Sequence, residues 1–240
     1  MTVVAVILVF SVAAGVFLVW HQFWENSRRQ TAASSQSASR EESGQEQVEE
    51  DKSFQLTLAG PNHPLSSGYR PELEEFSGIS VDRRILPSLK KMMEGASAAG
   101  CPLVLTGGYV DAARQEALFQ AEANRLIKLR KISLVLAESE AQSTVGRGGQ
   151  HDAQTGLSVL FTSGGKEKNF GSTPQFRWLA QNCVNYGFIE RYPPDKAAKT
   201  GMSGDVARYR YVGEENAVKM RELSMCLEEY VSYLEERDTD

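Results

Sequence analysis

The stretch HDAQTGLSVLF, residues 151–161, joins a polar His-Asp pair to a glycine turn and then to an alternating apolar segment. The alternation predicts a half-buried strand after the turn. A metal site at such a turn needs side chains with lone pairs, which zinc takes from His, Cys, Asp or Glu. His151 and Asp152 are of this kind, whereas Ala153 and Leu160 are not. The stretch therefore looks like half of a metal centre without its ligands.

The bulk composition limits the class of protein. The chain has 240 residues and a formal charge of -5, with a pI near 5.4. It offers no basic surface, so nucleic acid is not an expected partner. Cys101, Cys183 and Cys226 are widely spaced and form no CxxC pair, which indicates neither a disulfide framework nor a thiolate zinc site. We expect each cysteine to be a small buried apolar residue.

The N-terminal segment is apolar. Residues 3–20, VVAVILVFSVAAGVFLVW, carry no charge and approach the roughly 20 apolar residues that a helix needs to cross a bilayer. Aromatic side chains and then Arg28 and Arg29 follow, as at a membrane interface. We expect an uncleaved single-pass anchor over residues 1–24. A cleaved signal peptide is the alternative, although a basic n-region and an A-x-A site are missing.

Two further regions follow the anchor. Residues 25–53 are rich in Ser, Gln and Glu, which predicts a flexible polar linker, and the folded domain is expected over residues 54–240. Helices are predicted over 81–99, from Asp111 onward, from Thr173 to Tyr186 and from Glu214 to Glu235, and strands over 101–109, 157–162 and 209–212. In the helix from Asp111, one face is predicted to carry Ala113, Leu118, Ala121 and Leu126. Because helices outnumber strands and do not alternate with them, we expect an α+β fold with a small, mainly antiparallel sheet flanked by helices.

Several blocks occur in a fixed order along about two-thirds of the chain. They are NHPL at 62–65, VDRRILPSLKKMMEGASAAGCPLVLTGGY at 81–109, QEALF at 115–119, QTGLSV at 154–159, FRWLAQNCVNYGFIERYPPDKAAKTG at 176–201 and YRYVG at 209–213. In this order they resemble the VanY-type D-alanyl-D-alanine carboxypeptidases. These are zinc enzymes that trim the stem peptide of bacterial peptidoglycan, so the resemblance implies the fold and the cleft of that family.

The resemblance also implies a zinc ion held by two His and one Asp, beside a water that a carboxylate deprotonates for attack on a peptide carbonyl. The family's Ser-x-His-x-x-Gly-x-Ala-x-Asp motif supplies the first His and the Asp. Its Ser, His and Asp fall on His151, Ala153 and Leu160. The family's Glu-Pro-Trp-His-Tyr-Arg-Tyr motif supplies the catalytic Glu and the second His, and these fall on Asp205 and Arg208.

All three ligand positions are therefore changed. Alanine and leucine offer no lone pair, and the permanent cation of Arg208 cannot ligate zinc and would repel it. The arginine of the family's Ser-Gly-Tyr-Arg, which helps to hold and polarise the substrate, is replaced by Val110. Only Asp205 keeps a carboxylate. We expect no zinc, no metal ligand and no catalytic residue, and hence a pseudoenzyme with the family fold.

A rebuilt metal site is the alternative. His151, Asp152 and Asp205 are the side chains that would form it, giving an active peptidoglycan metallo-carboxypeptidase with a divergent metal site. Such a set is rich in carboxylates, whereas zinc prefers His and Cys. We expect Arg208 instead to pair with Asp205 or Asp152, since an unpaired buried charge is costly. An ordinary solvated surface arginine is the other reading of Arg208.

The resemblance implies peptidoglycan stem peptide as ligand, with another cell-envelope protein as the alternative partner. The candidate ligand-binding residues are Tyr109, Gln115, His151, Asp152, Asp205 and Arg208. Because peptidoglycan lies outside the membrane, we expect an extracytoplasmic domain, although Arg28 and Arg29 after the anchor favour the opposite orientation. A purely structural partner, whose cleft is closed by ion pairs of Arg208, is a third class of function.

Overall fold

The computed structural model describes residues 53–165 and 169–238, which contain two antiparallel sheets. The first is a hairpin of β1 (Leu73–Phe76) and β2 (Ile79–Asp82), joined by Ser77 and Gly78, both at positive φ as a tight hairpin turn requires. The second sheet has the order β3-β4-β6-β5, where β3 is Val104–Gly107, β4 is Ser158–Thr162, β5 is Phe188–Tyr192 and β6 is Asp205–Tyr211. The predicted α+β fold with a small antiparallel sheet is confirmed.

Helices flank the four-stranded sheet and close its core. They are α1 (Leu86–Ala98), α2 (Ala112–Arg130), α3 (Leu134–Thr144), α4 (Pro174–Asn182), α5 (Ala197–Thr200), α6 (Glu214–Leu223) and α7 (Leu227–Asp238). Pro87 lies in the first turn of α1, where its missing N–H costs no helical hydrogen bond. Leu89 of α1 and Leu179 of α4 are fully buried in one cluster with Val159 of β4. The main core therefore lies between this sheet and α1.

The predicted anchor over residues 1–24 lies outside the described residues, as does the predicted linker apart from Ser53. None of the helices in the described ranges combines the length and the apolar character that crossing a bilayer requires. Of the three cysteines, Cys183 and Cys226 are buried as expected, whereas Cys101 is only half-buried.

Several elements differ from the sequence predictions. The helix predicted over 81–99 begins only at Leu86, because Ile79–Asp82 form β2. The single helix predicted from Glu214 is two helices, because Ser224 adopts a left-handed conformation (φ 54°) that ends α6. Strand β5 was not predicted, since two charged residues interrupt its apolar pattern. The last strand begins at Asp205 rather than at Tyr209.

Helix α2 buries only Leu126 of the four residues that the sequence predicted to share a face. Its buried residues are Gln115, Phe119, Ala123 and Leu126, of which Phe119, Ala123 and Leu126 pack against Ala137 and Ala141 of α3. Leu118 and Ala121 are exposed, and Leu118 retains 38% of its surface. The left-handed Lys131 (φ 56°) ends α2 and lets α3 fold back upon it. The face of α2 that carries Leu118 and Ala121 therefore does not pack against α3.

A network of buried charges joins the sheet to the chain around it. Asp152, Arg191 and Arg210 are all 0% exposed. Oδ1 of Asp152 lies 2.6 Å from Nη1 of Arg210 and 3.1 Å from Nε of Arg191. Arg191 also reaches Glu228 of α7 at 2.7 Å, and Arg210 donates to the carbonyl of Thr57 at 2.9 Å. The network therefore ties β5 and β6 to α7, to the segment before β1 and to the turn before β4.

Removing the charge of Asp152 tests this network. Asp152→Asn leaves two buried guanidinium groups with less compensating charge, and we expect it to lower the free energy of unfolding by about 3–5 kcal/mol. Urea unfolding of the full-length chain measures this loss. The control is Glu222→Gln, which breaks an exposed pair with Lys219 and should cost less than about 1 kcal/mol. Equal effects of both variants would contradict a structural role for the network.

Glu190 of β5 generates a second prediction about stability. Burial raises the pKa of Glu190 from 4.5 to about 7, and Asp195 and Asp205 add to the rise. Between these two pH values Glu190 binds more protons in the folded chain than in the unfolded chain, so its contribution to the free energy of unfolding falls as pH rises. His151, whose pKa burial lowers to about 3, contributes in the opposite direction below pH 6.5 and is common to the unmodified chain and Glu190→Gln. Urea unfolding between pH 4.5 and 8 should therefore show that the difference in free energy of unfolding between these two proteins changes with pH, in the direction that Glu190 predicts. Glu74→Gln, at an exposed position of β1, should leave the slope unchanged; an unchanged slope in Glu190→Gln would refute the assignment.

Candidate functional site

A cleft of about 510 Å³ opens between α2, the four-stranded sheet and the turn that precedes β4. The three positions where the resemblance implies zinc ligands, and the one where it implies an arginine, line it: Ala153, Leu160, Arg208 and Val110. They come from four separate parts of the chain. The cleft therefore coincides with the place where the resemblance puts a metal centre.

The fold brings these four positions together through the backbone. Leu160 of β4 and Arg208 of β6 are direct partners in the antiparallel register, so their side chains are neighbours on one face of the sheet. Ala153 lies in the 3₁₀ turn Asp152–Thr155, and its carbonyl accepts a hydrogen bond from the backbone N–H of Val110 at 3.3 Å. The fold therefore brings together four positions that are far apart in the sequence.

Arg208 is held in place by two polar contacts. Its Nε lies 3.2 Å from Oδ2 of Asp205, and its Nη1 lies 3.4 Å from the hydroxyl of Ser158. Of the two partners that the sequence left open for Arg208, Asp205 and Asp152, the structure has Asp205. The side chain of Arg208 is only 15% exposed. Within the described ranges, its other terminal nitrogen, Nη2, has no hydrogen-bond partner, so the guanidinium is anchored on one side and open on the other.

His151 lies in the wall of the cleft as a neutral ring. Burial, together with the cation of Arg208, lowers the pKa of His151 to about 3. Its Nδ1 accepts a hydrogen bond from the backbone N–H of Ala153 at 3.2 Å. The proton of the neutral ring therefore sits on Nε2, and the lone pair of Nδ1 is already used. In this arrangement His151 is a structural acceptor that caps its own turn.

Of the other candidate ligand-binding residues, one lines the cleft and three lie outside its lining. Gln115 lines the cleft, but its amide donates to the carbonyls of Val145 and Gly146 at 2.6 and 3.0 Å and so fixes the loop after α3. Tyr109 is half-buried outside the lining, and Asp205 supports Arg208 from behind. Asp152 belongs to the buried network instead of the cleft, because Arg210 and Arg191 bind its carboxylate.

One wall of the cleft was missed by sequence reasoning. It consists of Leu118, Ala121, Glu122 and Arg125 of α2. Glu122 and Arg125 form a bidentate pair, with both N···O distances at 2.7 Å. The spacing i, i+3, i+4, i+7 places these four residues on one helix face. The same spacing in the sequence is the signal that could have identified this face, which lies beside the face of Phe119, Ala123 and Leu126 that packs against α3.

The residues of the cleft do not fit a zinc ion. The three family ligand positions offer a methyl, an isobutyl and a guanidinium group. Across residues 53–165 and 169–238, no three His, Cys, Asp or Glu side chains lie close enough together to share a metal ion. The alternative set of His151, Asp152 and Asp205 is not assembled, since arginines bind both carboxylates.

Comparison with known proteins relates this cleft to peptidases. The family model of the VanY D-alanyl-D-alanine carboxypeptidases matches residues 78–214. A D-alanyl-D-alanine carboxypeptidase of Enterococcus faecalis (strain ATCC 700802 / V583) is 33% identical over 184 residues, which are 76% of this chain and 68% of that protein. The putative carboxypeptidase YodJ of Bacillus subtilis (strain 168) is 28% identical over 190 residues, 73% of this chain and 66% of that one.

Solved structures agree. The vancomycin resistance D,D-pentapeptidase VanY of a VanB-type resistance cassette, solved as a mutant with Zn(II), has a TM-score of 0.69 and 33% identity, covering 74% of this chain and 99% of that one. VanYB with D-alanine-D-alanine gives a TM-score of 0.69 and 33% identity over 75% of this chain and 98% of that one. On the match of more than half its length and on these relatives, the chain belongs to the VanY D-alanyl-D-alanine carboxypeptidase family.

Proposed function

We propose that this chain is a non-catalytic member of its family that binds peptidoglycan stem peptides in the cleft. One observation carries the proposal: the three positions at which the family holds zinc lie together in an open cleft as alanine, leucine and arginine. A single change would be compatible with an altered metal site. Replacement of all three, with a cation among them, removes the donor set altogether.

The remaining polar groups of the cleft do not replace zinc chemistry. Hydrolysis of a peptide bond at neutral pH needs an activated water and a group that stabilises the developing oxyanion. His151, with its pKa at about 3 and Nδ1 engaged, is a poor proton acceptor for such a water. Asp205 has the family's carboxylate character, but it is paired with Arg208. The proposal therefore assigns no catalytic residue.

The cleft still has the properties of a ligand site. Its volume of about 510 Å³ is within the usual range for small-molecule and peptide pockets. Its lining combines the apolar side chains of Val110, Leu118 and Leu160 with the single open guanidinium of Arg208. Small apolar residues next to a carboxylate, as at the end of a peptide rich in D-alanine, suit such a surface. VanYB, whose cleft binds D-alanine-D-alanine, supports this ligand class.

We also propose the cellular setting from the sequence. The apolar segment over residues 1–24 would anchor the chain in the cell membrane, and the polar segment over 25–53 would extend the domain from it. An extracytoplasmic domain suits this ligand, since peptidoglycan lies outside the membrane. Another envelope protein is the alternative partner. It would bind the same anchored domain and would not require the cleft to hold a peptide.

Leu118 provides a test of the cleft as a binding site. We expect the full-length chain to bind acetyl-L-Lys-D-Ala-D-Ala or its trimmed form acetyl-L-Lys-D-Ala by isothermal titration calorimetry, without release of D-alanine when zinc is added. Leu118→Glu places a charge on the apolar wall and should weaken binding about tenfold, which corresponds to roughly 1.4 kcal/mol. Leu129→Glu is the matched control, because Leu129 lies on the same helix, is 67% exposed and does not line the cleft.

Other outcomes have defined meanings. Release of D-alanine by the zinc-supplemented chain would overturn the proposal and support a peptidase with a divergent metal site. Absence of binding to both peptides would also overturn it and would favour a structural role with a protein partner. Equal weakening by the two leucine substitutions would place the bound peptide outside this cleft.

A further inference from the structure

We infer that the cleft selects stem peptides that a carboxypeptidase has already trimmed, and that the new terminal carboxylate of the trimmed peptide pairs with Arg208. The inference rests on the proposed function, because it specifies which peptide the same cleft prefers. Two features of the cleft carry it: Arg208 lines it with an anchored guanidinium that is open on one edge, and Val110 lines it with an isopropyl group where the resemblance implies an arginine.

The chemistry of trimming explains why a cation at this place favours the product. A carboxypeptidase breaks the last C–N bond of the peptide; the hydroxyl of water goes to the carbonyl carbon and a proton goes to the departing amine. Zinc in such enzymes polarises the oxygen of that carbonyl, which is neutral in the substrate. After hydrolysis the same carbon belongs to the terminal carboxylate of the shortened peptide. A fixed positive charge at the metal position therefore meets a full negative charge in the product and only a dipole in the substrate.

Arg208 has the geometry for this role. Its Nε is held by Asp205 at 3.2 Å and one Nη1–H is directed to Ser158 at 3.4 Å, which orients the guanidinium. Both N–H groups of Nη2 and one of Nη1 remain for a ligand, and guanidinium groups bind carboxylates through two parallel hydrogen bonds. The pair with Asp205 balances part of the positive charge of Arg208 and leaves the edge of the guanidinium that carries Nη2 accessible. With 15% of its side chain exposed, Arg208 is largely shielded from water, which strengthens a hydrogen-bonded pair at its open edge.

The change at Val110 acts in the same direction. In the family this position carries the arginine that helps to hold the substrate, whereas an isopropyl group lines the cleft here. A longer peptide would bring its terminal carboxylate into the cleft beyond Arg208. Desolvating a carboxylate without a partner is costly. The other arginine of the lining, Arg125, does not compensate, because Glu122 binds it with two N···O distances of 2.7 Å. Arg208 is therefore the one open cation of the described cleft.

Two peptides that differ by one residue test the inference. Calorimetry on the full-length chain should give tighter binding of acetyl-L-Lys-D-Ala than of acetyl-L-Lys-D-Ala-D-Ala, by about tenfold or more, as expected for a charge-assisted hydrogen-bonded pair. The C-terminal amide of the shorter peptide, which has the same size without the charge, should lose this advantage. This comparison needs no variant and is independent of folding.

Substitution of Arg208 completes the test. Arg208→Met should abolish the preference for the shorter peptide, whereas Arg208→Lys, which keeps the charge without the planar fork, should retain part of it. Arg114→Met is the control, since Arg114 is exposed on α2 and does not line the cleft. Thermal unfolding checks that each variant is folded.

Different results would contradict the inference about Arg208 and the proposed function. Equal or tighter binding of acetyl-L-Lys-D-Ala-D-Ala would overturn the inference and leave the proposed function intact. Equal binding of acetyl-L-Lys-D-Ala and its C-terminal amide would also overturn the inference, because the cleft would then not recognise the terminal carboxylate. Failure of both peptides to bind would overturn the proposed function itself.

Discussion

The buried ion pairs of Asp152 with Arg210 and Arg191 are the interaction on which the rest of the structure depends. They connect the turn before β4 to β5 and β6, and the arginines reach on to α7 and to the segment before β1. Asp152 is adjacent to Ala153, and Arg210 lies two residues from Arg208 on the same strand. The network thus holds the backbone beside Ala153 and Arg208 of the cleft in place, and it does so through ion pairs between side chains and without a metal ion.

In the account proposed, this arrangement lets the family fold persist without zinc at the ligand positions. A structural zinc ion crosslinks chain segments, and its loss unfolds proteins that depend on it. Here the protein's own buried charges connect the turn before β4 to β5 and β6, and Leu160 and Arg208, which are partners in the register of β4 and β6, both line the cleft. In the account proposed, the residues at Ala153, Leu160 and Arg208 leave no zinc site, and Arg208 takes part in binding the peptide instead.

The sequence predicted the features that depend on local pattern. Alternation predicted β4, and the capping residue Thr173 predicted the start of α4. The cost of an unpaired buried charge predicted that Arg208 would pair with Asp205 or Asp152, and the structure has the pair with Asp205. It did not predict β5, because the burial of Arg191 depends on partners that are distant in sequence. For the same reason Asp152 was assigned to the cleft. Leu118 was assigned to a core face because α2 has two apolar stripes, and only packing on α3 distinguishes them.

Restoring the family ligands tests most directly the claim that this chain retains the site but not its zinc. The variant Ala153→His, Leu160→Asp and Arg208→His returns two imidazoles and a carboxylate to one wall of the cleft. After incubation of the full-length proteins with zinc and desalting, mass spectrometry should find near-stoichiometric zinc in the triple variant and none in the unmodified chain. Near-stoichiometric zinc in the unmodified chain would contradict the account.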